Sequence, residues 1–454
     1  MKTSLYNNCR PAEEPGRALA FNSFSGALIE VSAEQANFLA GQHSFDPSQL
    51  RDKDAELLEG LYRNGFVVDD DVDEFSLLKR RHDRAKHSRH QLDITISPTL
   101  DCNFGCFYCY QGRTKERMSP QIQDEIINFI AQHKGLEELK LSWFGGEPLL
   151  CLDIIESMSE RIDALSRKMG FTYSAQMTTN GFDLDRERVA ILRKCHVNNF
   201  QITLDGPPDL HDKRRNLVTR SNGTFWQIVE GIKLLNEAGA TVIIRSNVDK
   251  TNIERVEELI DILDQEGLHQ NSFYLGQVKP YSEKVKRVSK VFLSKAEMGQ
   301  YDARVQKYLA QKNFRAKADV HFPEPKNTYC SANRTHAYVI DHDGETYKCW
   351  AEIGDHSLSL GQLRDLPPPE LAEEKASPCA QRWHQWTPFD ETKGCATCKM
   401  LPICMGGCAF SGMTILNNVP ECIKFKFNLE ETLVKKAAQL RGIKKQANAV
   451  GAEA

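Results

Sequence analysis

The chain is predicted to be α/β: a partial (β/α)6, TIM-like barrel, preceded by a small winged-helix-like module and followed by a loop-rich, cysteine-dense domain. Three observations carry this. Six short apolar runs alternate with amphipathic stretches between residues 92 and 278. A compact pattern of short strands and helices fills residues 1–80. Eight of the 14 cysteines fall after residue 329. A chain of 454 residues exceeds what one core organises, so two or three domains are expected.

In the first segment, Arg17–Phe21 and Ala27–Val31 are strand-like runs around the turn 22–26, a hairpin signal. Ser32 is placed to cap a helix Ala33–Ala40. A second helix spans Asp54–Asn64, with Gly65 as its stop, and Phe66–Val68 returns as a strand. After the acidic run 69–74, Phe75–His90 forms a charged helical connector. The expected divisions are 1–80 for this module, 81–91 for the connector, 92–300 for the barrel, 301–329 for a charged bridge, 330–440 for the cysteine domain and 441–454 for a tail.

The barrel strands are expected at Leu92–Ser97, Leu139–Phe144, Thr172–Thr178, Phe200–Leu204, Thr241–Val248 and Phe273–Val278. Helices fall at Pro120–His133, Leu152–Lys168, Thr224–Ala238 and Ile253–Glu266. Repeated βα units imply a parallel sheet. In such barrels the reactive groups collect at the C-terminal rim of the strands.

The totals exclude several classes. Net charge is −4, so there is no strong basic field and no bulk nucleic-acid partner is expected. No apolar run reaches 18 residues, and Met1–Leu5 does not open a signal peptide. A soluble cytoplasmic protein without a membrane partner is expected. In a large chain of this kind many cysteines point to metal rather than to disulfides.

Cys102, Cys106 and Cys109 stand in the run Asp101-Cys-Asn-Phe-Gly-Cys-Phe-Tyr-Cys-Tyr110. Three thiolates on one short loop can hold three irons of a four-iron cluster and leave the fourth open. Zinc is the competing reading, but it wants four closed ligands. The loop offers three, and the next histidine is His133.

The Cys-x3-Cys-x2-Cys spacing, with Tyr108 before the last cysteine, resembles the radical S-adenosylmethionine (SAM) enzymes. In that family the open iron chelates SAM, and one electron passed to the sulfonium yields a 5′-deoxyadenosyl radical. The resemblance extends along the strand ends. Trp143-Phe-Gly-Gly-Glu-Pro148 matches the string that holds the methionyl amino group, which implicates Gly145, Gly146 and Glu147. Thr178–Gly181, Ile202–Pro207 and Ile244–Val248 resemble later strand-end motifs, which implicates Asn180, Asp205 and Arg245 in binding SAM. Asp212 and Arg215 fit a structural ion pair equally well.

The second array is Cys330, Cys349, Cys395-x2-Cys398-x5-Cys404-x3-Cys408 and Cys422. A pair of zinc ribbons is the plain alternative. The spacing resembles the SPASM extension, which carries auxiliary iron–sulfur clusters in radical SAM maturases. By that resemblance Cys395, Cys398, Cys404 and Cys422 hold one cluster, while Cys330, Cys349 and Cys408 hold another. Three [4Fe–4S] clusters are then expected in all. The second auxiliary site has three ligands, with Cys379 as a possible fourth. Cys9, Cys151 and Cys195 are left as inert thiols.

The first module resembles a leader-peptide recognition domain, in which a peptide adds as a strand to a sheet edge. The implied activity is radical modification of a ribosomally made precursor peptide, forming a thioether or carbon–carbon crosslink. The partners implied are that peptide and a reductant such as flavodoxin or ferredoxin. A formylglycine-forming sulfatase maturase is the alternative enzyme, and a non-catalytic metal- and peptide-binding protein the alternative class. Sulfatase maturases use an acidic base. Asp319, Asp341 and Asp343 are candidates here, and no general base is assigned.

Overall fold

The computed structural model describes residues 1–47, 52–219, 223–287, 289–314 and 322–451. Its centre is a nine-stranded sheet. Six strands are mutually parallel and run in chain order across it: β6 (Gln91–Ile96), β7 (Glu138–Trp143), β8 (Thr172–Thr179), β9 (Val197–Thr203), β10 (Thr241–Val248) and β11 (Ser272–Gln277). This is the partial barrel expected from the alternating pattern.

The strand sequences show why. In β6, Leu92, Ile94 and Ile96 are buried, and in β7, Leu139, Leu141 and Trp143 are buried, with polar residues between them. The helices begin where the capping chemistry lies. Ser119 accepts from the Ile122 N–H ahead of α4 (Pro120–Ala131), with proline at its first turn. Asp185 does the same for the helix Arg186–Lys194. Gly170 closes the helix Leu152–Met169 in the left-handed region, at φ 82°.

The register levels the strand ends. Ile96 pairs with Trp143, Trp143 with Met177, Met177 with Phe200, and Ile244 with both Ile202 and Phe273. The loops after all six strands therefore emerge on one rim.

The sheet does not stop at β6. β12 (Ala337–Ile340) pairs with it in parallel, and β13 (Glu345–Tyr347) and β14 (Gly361–Gln362) follow antiparallel. Apolar Ala337–Ile340 covers an edge that would otherwise present unpaired backbone groups. The segment after residue 330, expected to be loop-rich, is thus also a continuation of the barrel sheet.

The N-terminal segment holds an antiparallel sheet, β2 (Asn7–Pro11), β3 (Arg17–Asn22) and β4 (Leu28–Ser32). β3, β4 and α1 (Ala33–Ala40) stand where the hairpin and cap signals put them. Ser32 and Gln35 form the reciprocal capping box. Two strands escaped the sequence, β2 and the two-residue β1 (Lys2–Thr3), which pairs with Val67–Val68. One face of the sheet (Ala18, Ala20, Val31) packs on its own helices. The other (Leu19, Phe21) packs on Phe425, Leu429 and Leu433 of the helix Phe425–Gly451. Lys86, at the end of α3 (Glu74–Lys86), is buried and donates to the carbonyls of His384 (2.6 Å) and Trp386 (3.1 Å), a further tie to the cysteine domain.

Candidate active site and its two cysteine sets

A cavity of about 460 Å³ opens at the rim where the six strands end. Cys102, Cys106 and Cys109 line it, together with Tyr108, Gly145, Gly146, Asn180, Arg215 and Arg245. A volume of this size suits a bound small molecule.

The cysteine loop is fixed by its neighbours. The Gly105 N–H donates to Asn216 O (2.8 Å), and the Val218 N–H donates to Asn103 O (2.9 Å). Asn103 joins the third strand end: it accepts from Asn180 Nδ2 at 2.7 Å and donates to Asp183 at 2.9 Å. Beneath it lies the glycine turn. The Glu147 N–H donates to Asp101 O at 2.8 Å. A Cβ on Gly146 would fall 2.0 Å from that same oxygen, and one on Gly145 (φ +117°) would fall 2.3 Å from Ser97 Oγ. Only glycine lets the turn pass under the cysteine loop.

Glu147 and Asp205 are fully buried behind the wall rather than on it. Glu147 accepts from the Leu149 N–H (3.0 Å), the Thr179 hydroxyl (2.6 Å) and the Asn180 N–H (2.7 Å). Its carboxylate thus ties the glycine turn to the end of β8. Burial pushes it up to about 7, against the pull of those three donors. Asp205 takes the Asn247 N–H at 2.8 Å and the hydroxyl of Tyr108. Tyr108 also accepts from Arg215 Nη1 (2.9 Å) and Asn247 Nδ2 (3.2 Å). Asp205 therefore fastens Tyr108 and the β10 end in place.

Arg215 and Asp212 do not pair. Asp212 instead accepts from the backbone N–H groups of Thr224 (2.8 Å) and Phe225 (3.0 Å), at the start of the helix Phe225–Glu237. Arg245 lies across β11, where Gly276 has no side chain; a Cβ there would fall 2.4 Å from Arg245 Nε. That nitrogen has no hydrogen-bond partner, so a cation faces the cavity with bonding capacity to spare.

Several wall residues had no sequence signal. Lys279, Tyr281 and Trp350 line the cavity beside Tyr110 and Phe144. Lys279 and Tyr281 come from the loop after β11, and Trp350 from the cysteine domain lying against the rim. Asp341 and Asp343 sit in the turn between β12 and β13 and do not line the cavity. Burial and its neighbour Asp343 push Asp341 up to about 9. Asp319 lies outside the described residues.

The cysteines of the second array lie in buried surroundings near one another. Burial raises the Cys404 thiol to about 12, and nearby Cys395, Cys398 and Cys422 act in the same direction. Cys349 is raised by burial and by nearby Glu352, Cys330 and Cys408. Gly407 (φ +70°) brings the segments together, since a Cβ there would fall 1.8 Å from Glu421 O, next to Cys422. The Cys379 thiol donates to Ser357 O at 3.4 Å, and Cys379 packs on the barrel core cluster.

The donor sets bear on which metal fits. Zinc–thiolate bonds of about 2.3 Å put the sulfurs of one tetrahedral site about 3.8 Å apart. Among the described residues, only Asp341, His342 and Asp343 bring three ligand atoms within 4.8 Å of one another. That group stands off the cavity, whereas the three thiols of the cysteine loop line it, a donor set of the kind an iron–sulfur cluster takes. Burial raises Cys102 to about 12, so metal binding there releases a proton.

Residues 96–263 match the Radical SAM superfamily. This is a radical SAM domain. It takes in the cysteine loop, the glycine turn and the ends of β6 to β10. Among curated relatives, the Fe-coproporphyrin III synthase of Methanosarcina barkeri is 27% identical over 40% of this chain and 43% of its own length. The sporulation killing factor maturation protein SkfB of Bacillus subtilis is 27% identical over 37% of this chain and 39% of its own. The chain thus spans about two fifths of the length of these relatives. Two solved structures share the wider fold. Streptococcus suis SuiB, bound to precursor peptide SuiA, covers 93% of this chain and 99% of its own at a TM-score of 0.54 and 18% identity. Native anSMEcpe, bound to AdoMet and the Cp18Cys peptide, covers 78% and 99% at a TM-score of 0.59 and 17% identity. Among the described residues no helix is long and apolar enough to cross a membrane.

Proposed function

We propose that this protein is a radical SAM enzyme that modifies a ribosomally made precursor peptide, closing a thioether or carbon–carbon crosslink. The carrying observation is the shared wall. Trp350 and Ala351, which directly follow Cys349, line the same cavity as Cys102, Cys106 and Cys109. A substrate seated there lies within reach of both cysteine sites.

Cys102, Cys106 and Cys109 would hold the SAM-binding cluster, Cys395, Cys398, Cys404 and Cys422 a second, and Cys330, Cys349 and Cys408 a third with an open position. When bound, an open-iron cluster supplies one electron to SAM and so a hydrogen-abstracting radical. The chain's own residues bind and shield. Arg245, on the cavity wall, would offer its guanidinium to the SAM carboxylate, Asn180 fixes the cysteine loop through Asn103, and Tyr108 is locked by Asp205, Arg215 and Asn247. The N-terminal sheet offers its outer strands, β2 and β4, to an extended leader. A flavodoxin or ferredoxin would serve as reductant, in a cytoplasm that keeps the thiols reduced.

The wall bears on the alternatives. Asp341 and Asp343 do not line the cavity, which weighs against either as the acidic base of formylglycine formation. A non-catalytic binding protein would keep its activity when Cys102, Cys106 and Cys109 are replaced by alanine.

The test is to incubate the iron-loaded, reduced protein with SAM and the peptide encoded by the small reading frame beside its gene. The product should be two hydrogens lighter than the precursor. Deoxyadenosine without a change in peptide mass would refute the proposal.

A further inference from the structure

A row of aromatic rings runs from Tyr110, beside the cysteine loop, through Tyr281 to Phe410. Tyr110 follows Cys109, and its ring meets Tyr281 edge-on with centroids 5.5 Å apart. Tyr281, from the loop after β11, meets Phe410 in the same way at 5.7 Å. Phe410 lies two residues past Cys408. On the other side, Trp350, next to Cys349, packs on Phe144 of the glycine turn at 5.1 Å. Both tyrosines line the cavity. Tyr281 also packs on the core cluster that holds Cys349 and Cys408, so it touches the cavity on one side and that cluster on the other.

We propose that Tyr281 couples the two cysteine sites, seating the reacting segment of the substrate between them and providing the contact through which the surplus electron leaves toward the trio Cys330, Cys349 and Cys408. This rests on the peptide-modifying reading above. The balance closes. The substrate first loses one hydrogen atom, which ends in 5′-deoxyadenosine. As the new bond forms, the attacking side chain loses a proton to water. The substrate radical loses one electron, which reduces the oxidised cluster held by the trio by one unit. The product is two hydrogens lighter than the precursor. Tyr281 is a positioning residue here; its ring, not its hydroxyl, is what the geometry uses.

The experiment compares Tyr281→Leu and Tyr281→Phe with the wild type, all iron-loaded, using the neighbouring-gene peptide. Iron per chain and the melting midpoint are measured first. Product formed per deoxyadenosine should fall at least tenfold in the leucine variant and recover in the phenylalanine variant. The electron paramagnetic resonance signal of the reduced trio is recorded in a background with Cys102, Cys106 and Cys109 all replaced by alanine. It should shift in the leucine variant and return in the phenylalanine variant. An unchanged ratio together with an unchanged signal in Tyr281→Leu overturns the proposal. If that variant loses iron, the arm with native Tyr281 decides: adding the peptide to the triple-alanine protein must perturb the trio's signal, and no perturbation overturns the coupling. A wild type that splits SAM but leaves the peptide mass unchanged removes the peptide reading and the coupling with it. A wild type that crosslinks beside an equally coupled Tyr281→Leu removes only the role of Tyr281.

Discussion

Replacing Glu147 by glutamine sets two opposed effects against each other. Burial favours the protonated acid, whereas three donors favour the carboxylate. Burial wins, and the group is lifted from 4.5 to about 7. The sign follows from linkage. Between 4.5 and about 7 the folded chain holds a proton that the unfolded chain has released, so the group's contribution to stability is full below 4.5 and is lost as the pH rises through about 7. At 1.36 kcal/mol per unit the loss is about 3 kcal/mol. Glutamine does not titrate. Its amide keeps one acceptor oxygen and turns a donor toward the other site, leaving one of the three donors unmatched at a cost of about 1–3 kcal/mol. The penalty for Glu147→Gln should therefore be greatest on the acid side and shrink toward zero, or reverse, above about pH 7. The assay is the difference in melting midpoint between variant and wild type, both metal-free, from about pH 5 to about pH 8. A penalty that grows with pH would refute the reasoning, because it would mean that the donors outweigh burial and the carboxylate is ionised throughout.

Other outcomes follow from the same geometry. Arg245→Ala should weaken SAM binding by roughly 1.5–3 kcal/mol, about ten- to a hundredfold in Kd by calorimetry on the loaded protein, as expected for a lost bond to a charged group. Gly276→Ala should do much the same without touching Arg245, since the new methyl occupies the place of Arg245 Nε; unchanged affinity would show that the guanidinium binds from elsewhere. Tyr108→Phe removes the hydroxyl that joins Asp205, Arg215 and Asn247, leaving buried donors unmatched. It should lower the melting midpoint and weaken SAM binding together. Cys379→Ala should leave iron per chain unchanged, whereas Cys349→Ala should lower it by one cluster.

The barrel was legible because its strands alternate or run apolar for five to eight residues between capped helices, and the local signals agree with the packed outcome. The cysteine spacings were legible for a related reason: chelating loops bring their ligands together over short separations. The residues that closed the site from afar were not. Trp350 reaches the cavity only because β12 pairs with β6 and carries the cysteine domain onto the rim, and Lys279 and Tyr281 reach it from the loop after β11, beyond the last periodic strand residue. No local pattern encodes that pairing. β1 and β2 were missed because Lys2–Thr3 is too short to show a period and Asn7–Pro11 is polar, its place set by pairing with β3. Glu147 and Asp205 lay in the right strings, but their burial behind the wall depends on donors from neighbouring strands.

The vacancy on one iron is best tested by the spectrum of the reduced protein with and without SAM. With the auxiliary ligands Cys349 and Cys404 replaced by alanine, the remaining signal should come from Cys102, Cys106 and Cys109 and should change on adding SAM. A signal that ignores SAM, or zinc bound in place of iron, would contradict the account.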